Sequence, residues 1–250
     1  MRFRTVAAWG FVIVIAVCLT GIAVPASRAG DKKEKAQAVD SGSFGIFVKG
    51  QRVVTETFHV EQINGISTIK SQLKETGSAD FAQKSELEIT SNGELLRYEW
   101  SQASGGSLTV ITRNDFLLEK ISTAESTKPA EQPFLMPSTS MILDNNIFVQ
   151  REVLVWRYLA SYCKPEGGNL KCQQGPAEFG TLVPQDRTSA RVRLELIGRE
   201  KVNFHGADRE LMRLNLSGEN FIWNLWVDEH DQFKLMRVLI PADNTEVIRD

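Results

Sequence analysis

The sequence predicts an α+β domain that is mostly β, with about ten to twelve antiparallel strands and one helix. Three observations carry this. Short apolar/polar alternations fill the chain from Ser43 onward, Gly- and Asn-containing turns separate them, and only residues 145–161 change to helical spacing.

The chain opens MRFRTVAAWGFVIVIAVCLTGIAVPASRAG, in which Arg2 and Arg4 precede a long apolar run and Ser27-Arg28-Ala29 fits a small-x-small cleavage site. Residues 1–29 therefore read as a secretory signal peptide and direct the protein to the periplasm or the exterior. Val6 to Val24 approaches the length needed to cross a bilayer, so retention as an anchor stays open. After cleavage no stable span is expected. A lipoprotein signal needs a small residue before Cys18, where Val17 stands, so Cys18 is expected to leave with the signal. Residues 30–42, GDKKEKAQAVDSG, are polar and lack aromatics, and read as a short disordered leader. The remainder, 43–250, reads as a single β-rich domain.

The first strands come in pairs around Lys49-Gly50 and Asn64-Gly65. SFGIFV and RVVTETFHVEQ flank the former, and ISTIKSQL follows the latter. In TETFHVEQ the alternation sets Thr55, Thr57 and His59 on the wet face against Val54, Phe58 and Val60. Ser91-Asn92-Gly93-Glu94 is a hairpin signal, with residues 81–90 and 95–102 as its arms, because both central residues of such a turn accept positive φ. In LLRYEW, Leu96, Tyr98 and Trp100 share one face. SLTVITR and DFLLEKIS complete a meander of about seven strands.

The segment STKPAEQPFLMPST has Pro129, Pro133 and Pro137 and reads as a surface connection. The helix follows at 145–161, NNIFVQREVLVWRYLAS, apolar around most of its circumference and so in need of burial on more than one side. Cys163 and Cys172 flank a Pro-Glu-Gly-Gly turn, and in an oxidising compartment they are expected to form a disulfide. The spacing is far from the Cys-x-x-Cys of thiol exchange. After a loop at GTLVPQDRTS, a second meander runs through ARVRLELIG, ELMRLNLS, FIWNLWV and KLMRVLIP to the end. The acidic cluster Asp228-Glu229-His230-Asp231 falls between two of these strands and reads as their hairpin connection.

The stretches GSFGIFVKGQRVVTETFHVEQ, IGREKVNFHGADRELMRLNL and WVDEHDQFKLMRVLIPADNTEVIRD resemble a group of uncharacterised bacterial periplasmic proteins whose fold is similar to that of the outer-membrane lipoprotein carriers. The resemblance implies a curved sheet, or partly open barrel, wrapped around one central helix and shielding a hydrophobic cavity. It carries no functional residue to this chain. The disulfide loop after the helix is this chain's own departure.

Composition narrows the chemistry. The formal net charge of −2 becomes more negative when Arg2, Arg4 and Arg28 leave with the signal, which gives no electrostatic footprint for nucleic acid. The three histidines, His59, His205 and His230, are not paired at ligand spacing, so no metal is expected. No nucleophile elbow or phosphate-cradling loop is present, no cofactor is expected, and the chain reads as a non-enzyme. Trp100, Trp156, Trp223, Phe221 and Phe148 fall on inward positions, either as ordinary core or as the lining of an apolar ligand pocket. Trp226 falls on the opposite face, where exposure would suit contact with an envelope protein. Two functions follow: binding of a lipid or other hydrophobic small molecule between sheet and helix, or an envelope interaction or sensing module with a packed interior.

Overall fold

The computed structural model describes residues 35–123, 128–167 and 169–250; the expected signal peptide and the first part of the leader lie outside them. The remainder of the leader, from residue 37, is not disordered. It enters the first strand, β1 (Gln37–Val48), where Ala38 pairs with Glu61 and Asp40 is buried against Arg249. That pairing supplies an ordered partner to a segment whose composition offers little to bury.

The first meander continues through β2 (Gln51–Ile63), β3 (Ile66–Glu75), β4 (Gln83–Thr90), β5 (Leu95–Gln102), β6 (Ser107–Arg113), β7 (Phe116–Ser122) and β8 (Ala130–Phe134). A two-residue strand, β9 (Met141–Ile142), precedes the helix α1 (Val149–Tyr162). The chain then forms β10 (Cys163–Glu166), β11 (Asn169–Cys172), β12 (Ala177–Val183), β13 (Thr188–Phe204), β14 (Ala207–Ser217), β15 (Ile222–Asp228), β16 (Lys234–Ile240) and β17 (Thr245–Arg249).

Fifteen of these strands make one curved sheet in the order β8-β7-β6-β5-β4-β3-β2-β1-β17-β16-β15-β14-β13-β12-β9. All of its pairings are antiparallel except the short β9–β12 contact. The first and last strands meet in the middle, with Phe44 opposite Arg249 and Val48 opposite Thr245. The sheet is not closed: β8 and β9 are its two edges. It curves around α1, whose Val153, Leu154, Val155, Tyr158 and Leu159 are buried in one core with inward residues of both halves, among them Phe58, Ile69, Leu87, Val110, Leu194, Leu214, Leu225 and Val247.

The strand count exceeds the expectation because five short or atypical strands were read as connections. β8 contains Pro133, and an edge strand tolerates proline since no donor is needed on its open side. β10 and β11 are the arms of the disulfide hairpin, with Cys163 directly opposite Cys172 and joined to it. The turn at 91–94 also differs from the expectation: Gly93 has positive φ and Asn92 does not, whereas Lys49-Gly50 and Asn64-Gly65 have it at both positions. A bulge accompanies this turn, where pairing shifts from Glu88↔Arg97 to Ile89↔Leu95. The bulge resets the alternation, so Leu95 is buried and Leu96, expected inward, is exposed.

Candidate functional site

Because the sheet surrounds α1, even the polar residues of its first turn are enclosed. Gln150, Arg151 and Glu152 are all buried, with Glu152 fully so. Buried polar groups require partners, and the strands supply them. Glu56 stands on β2 in phase with Val54, Phe58 and Val60, and its carboxylate accepts from the N–H groups of Phe148 (2.6 Å) and Val149 (3.3 Å) and from Ser71 Oγ (2.7 Å). The first helical residues have no side-chain cap of their own. A carboxylate from another element therefore satisfies the exposed donors and faces the positive end of the helix dipole. Burial nevertheless pushes the Glu56 carboxyl up to about 7, against the pull of those hydrogen bonds.

Asp144, in the turn before α1, accepts from Tyr98 Oη (2.6 Å) and from the N–H groups of Gln185 (3.0 Å) and Asn145 (3.1 Å), while its own N–H donates to Gln150 Oε1 (2.6 Å). Burial raises both the Asp144 carboxyl and the Tyr98 hydroxyl. On the other side of the helix, Glu152 accepts from Arg249 Nη1 (2.9 Å) and the Leu235 N–H (3.0 Å), and Arg249 Nη2 holds both oxygens of Asp40 (2.8 and 2.6 Å). Burial opposes ionisation of Asp40, but Glu152 and Arg249 outweigh it and hold Asp40 below the carboxylate range; Glu152, desolvated and beside Asp40, is raised well above it. One guanidinium thus bridges two acids whose tendencies to ionise are pushed in opposite directions. Glu119 on β7 is different. It is fully buried, neither oxygen has a hydrogen-bond partner, and burial pushes it up to about 7.

Arg151 is the buried cation of this region. Its Nη1 donates to the carbonyls of Asp144 and Ile147 (2.7 Å to the latter), Nη2 reaches Leu143 O at 3.5 Å, and Nε has no acceptor. Its guanidinium lies 5.5 Å from the Phe148 ring centre and 5.3 Å from that of Trp223. Burial lowers it to about 10, offset in part by the charges of Glu56 and Asp144. Arg151, Phe148 and Trp223 border a cleft of about 510 Å³ at the start of α1. Its walls are mixed: Ile46, Val48, Val54, Leu73 and Ile240 come from strands of both halves, and Glu75, Gln83, Asn145 and Asp243 stand among them.

The aromatic residues singled out from the sequence divide among several places. Phe148 and Trp223 meet at 6.4 Å and border this cleft, and Phe221 packs on Trp223 at 5.3 Å. Trp156 lies farther along α1, donates to Phe233 O (3.0 Å), and borders a second cleft of about 430 Å³ with Gln62, Ile89 and Arg157. Trp100 donates to Gln83 Oε1 (3.1 Å) and borders a groove over β3 to β6. The polar cluster around Arg151 escaped the sequence reading. Its one available signal was a charged residue in phase with an apolar row, as in Val54-Glu56-Phe58.

Trp226 does lie opposite Trp223, but it is only 5 % exposed, which corrects the expected free surface. The far end of the β13–β14 hairpin extends beyond the residues that pair with β15, and its Val202, Phe204 and Leu211 pack with Trp226 and Met236 on the outer face. Arg213 and Arg237 approach the Trp226 ring at 5.8 and 4.8 Å, and Glu200 accepts its indole N–H. The hairpin is further held by Arg199 on Glu229 (2.7 Å twice) and by His205 Nε2 against Arg249 O (2.8 Å). The acids between β15 and β16 are therefore occupied as turn and ion-pair residues. Among the described residues no group of three His, Cys, Asp or Glu is arranged to hold a metal, and no helix is long and apolar enough to cross a membrane.

No family model matches the chain, and no curated protein matches it. Among solved structures it is similar to a beta-barrel-like protein of domain of unknown function DUF1849 from Brucella abortus, at 5 % identity and a TM-score of 0.46, over 87 % of this chain and 95 % of that one.

Proposed function

We propose that this chain is a non-enzymatic protein of the bacterial periplasm that holds a lipid or another hydrophobic small molecule between its curved sheet and α1. The curved sheet around a helix is a scaffold suited to ligand binding, and the observation that supports this use of it is the cleft bordered by Phe148 and Trp223. Its volume of about 510 Å³ lies within the range of small-molecule sites, and it offers an apolar strip from Ile46 to Ile240 beside polar groups that could orient a ligand. Phe148 and Trp223 border one cleft and Trp156 another, which favours one compact ligand over a long chain threading the whole interior.

A catalytic reading has less support. The carboxyls raised to about 7, Glu56 and Glu119, are fully buried, where no substrate reaches them. A protein-interaction module loses its best residue with the covering of Trp226. Native mass spectrometry of protein purified from its own envelope should reveal a bound hydrophobic mass that dissociates under collisional activation. Ligand-free protein that also fails to bind any added amphiphile would refute the reading.

A further inference from the structure

The charge arrangement at the base of the cleft goes beyond an apolar site. A buried cation is ordinarily paired with a carboxylate, since the cost of removing it from water is several kcal/mol. Arg151 is 4 % exposed, yet its guanidinium forms no ion pair with any described carboxylate and donates only to backbone carbonyls, one of them at the 3.5 Å limit. The nearest acids are committed elsewhere: Glu56 to the helix N–H groups and Ser71, and Asp144 to Tyr98, Gln185 and Asn145. Nε–H is left without an acceptor. Both rings stacked near the guanidinium border the cleft, as does Arg151 itself, and Trp223 is only partly buried, so a turn of its indole can open the charge to a ligand.

We infer that the cleft takes an amphiphile with an anionic head, the head on Arg151 and the tail along Ile46, Val48, Val54, Leu73 and Ile240. This rests on the ligand-binding reading above and specifies its chemistry. A carboxylate or phosphate oxygen supplies the missing acceptor for Nε–H and Nη2–H in a site where water is excluded, and a neutral head of equal length does not. Asp243 and Glu75 at the same cleft disfavour anions that have no tail to hold them, because such ions gain only the Arg151 contact.

The test is titration of intrinsic tryptophan fluorescence in the intact protein with dodecanoate, dodecyl phosphate, dodecanol and inorganic phosphate, all below micellar concentrations. Wild-type protein should bind the two anionic amphiphiles about tenfold or more tightly than dodecanol, the size expected from a hydrogen bond to a charged group. Inorganic phosphate should give no saturable change. Arg151→Met should bind dodecanoate and dodecanol alike, while Arg151→Lys should keep the preference in part. Should Arg151→Met fail to fold, the comparison of heads on wild type and Arg151→Lys still decides. Equal affinity of wild type for dodecanoate and dodecanol overturns the anionic head but leaves the hydrophobic-ligand reading standing. Binding of inorganic phosphate as tight as that of dodecyl phosphate overturns the role of the tail. Failure of every amphiphile overturns both readings.

Discussion

Replacing Glu119 by glutamine should change how stability depends on pH. The wild-type carboxyl rises from its ordinary 4.5 to about 7 on folding, because it is buried without a donor. The native state therefore keeps a proton that the unfolded chain gives up between those values. By linkage, stability falls as pH rises through that window and levels off above it. A shift of this size costs at most about 3.4 kcal/mol at high pH, and between pH 5 and pH 8 about 2.5 kcal/mol of it develops. Relaxation around the charge reduces this to about 2 kcal/mol. The amide of Glu119→Gln brings its own unsatisfied polar atoms, but that cost is the same at every pH and cancels in the difference. Urea unfolding of both proteins at half-unit steps from pH 5 to 8 should thus show the variant gaining about 2 kcal/mol on wild type toward pH 8. Parallel profiles would mean that Glu119 does not retain its proton in the fold, and would refute the argument.

Glu56→Ala should cost about 2–4 kcal/mol in the same assay, since it leaves the Phe148 and Val149 N–H groups without an acceptor, whereas Glu56→Gln, which keeps one, should cost less than half as much. Trp226→Ala should cost about 3–5 kcal/mol by removing the centre of the outer cluster, and should leave amphiphile titrations unchanged. Changing Cys163 and Cys172 together to serine should lower stability by roughly 2–3 kcal/mol, readable as a lower midpoint in thermal unfolding monitored by circular dichroism.

The fold class was legible because alternation and turn chemistry are local signals. Tyr98, Val110, Leu214 and Val247 lie inward as their alternation requires, and α1 starts four residues into the helix expected at 145–161. The pairing of β1 with β17 was not legible, since it joins residues some two hundred positions apart through backbone groups that carry no side-chain code. Burial of Trp226 escaped for a related reason. Alternation assigns a face, but only the length of the β13–β14 hairpin determines that this face is covered. At the cleft, Phe148 and Trp223 were identified and Arg151 was not, because an arginine on a helix is read as solvated until the surrounding sheet is known. Leu96 shows the limit of periodicity itself: a bulge beside it turns it outward while Tyr98, in the same row, stays buried.

The position of β17 makes the last strand the link between the two halves of the sheet. It sits between β1 and β16, in the middle of the fifteen strands, yet follows all of the others in sequence. Until Arg249 is available, the two meanders end in unpaired edges at β1 and β16, and Asp40 and Glu152 lack the guanidinium that both of them bind. Such edges are templates for pairing with other chains. Removing the final strand would therefore expose β1 and β16 as two open edges at the centre of the sheet, so that the last five-residue strand guards the molecule against pairing with other chains.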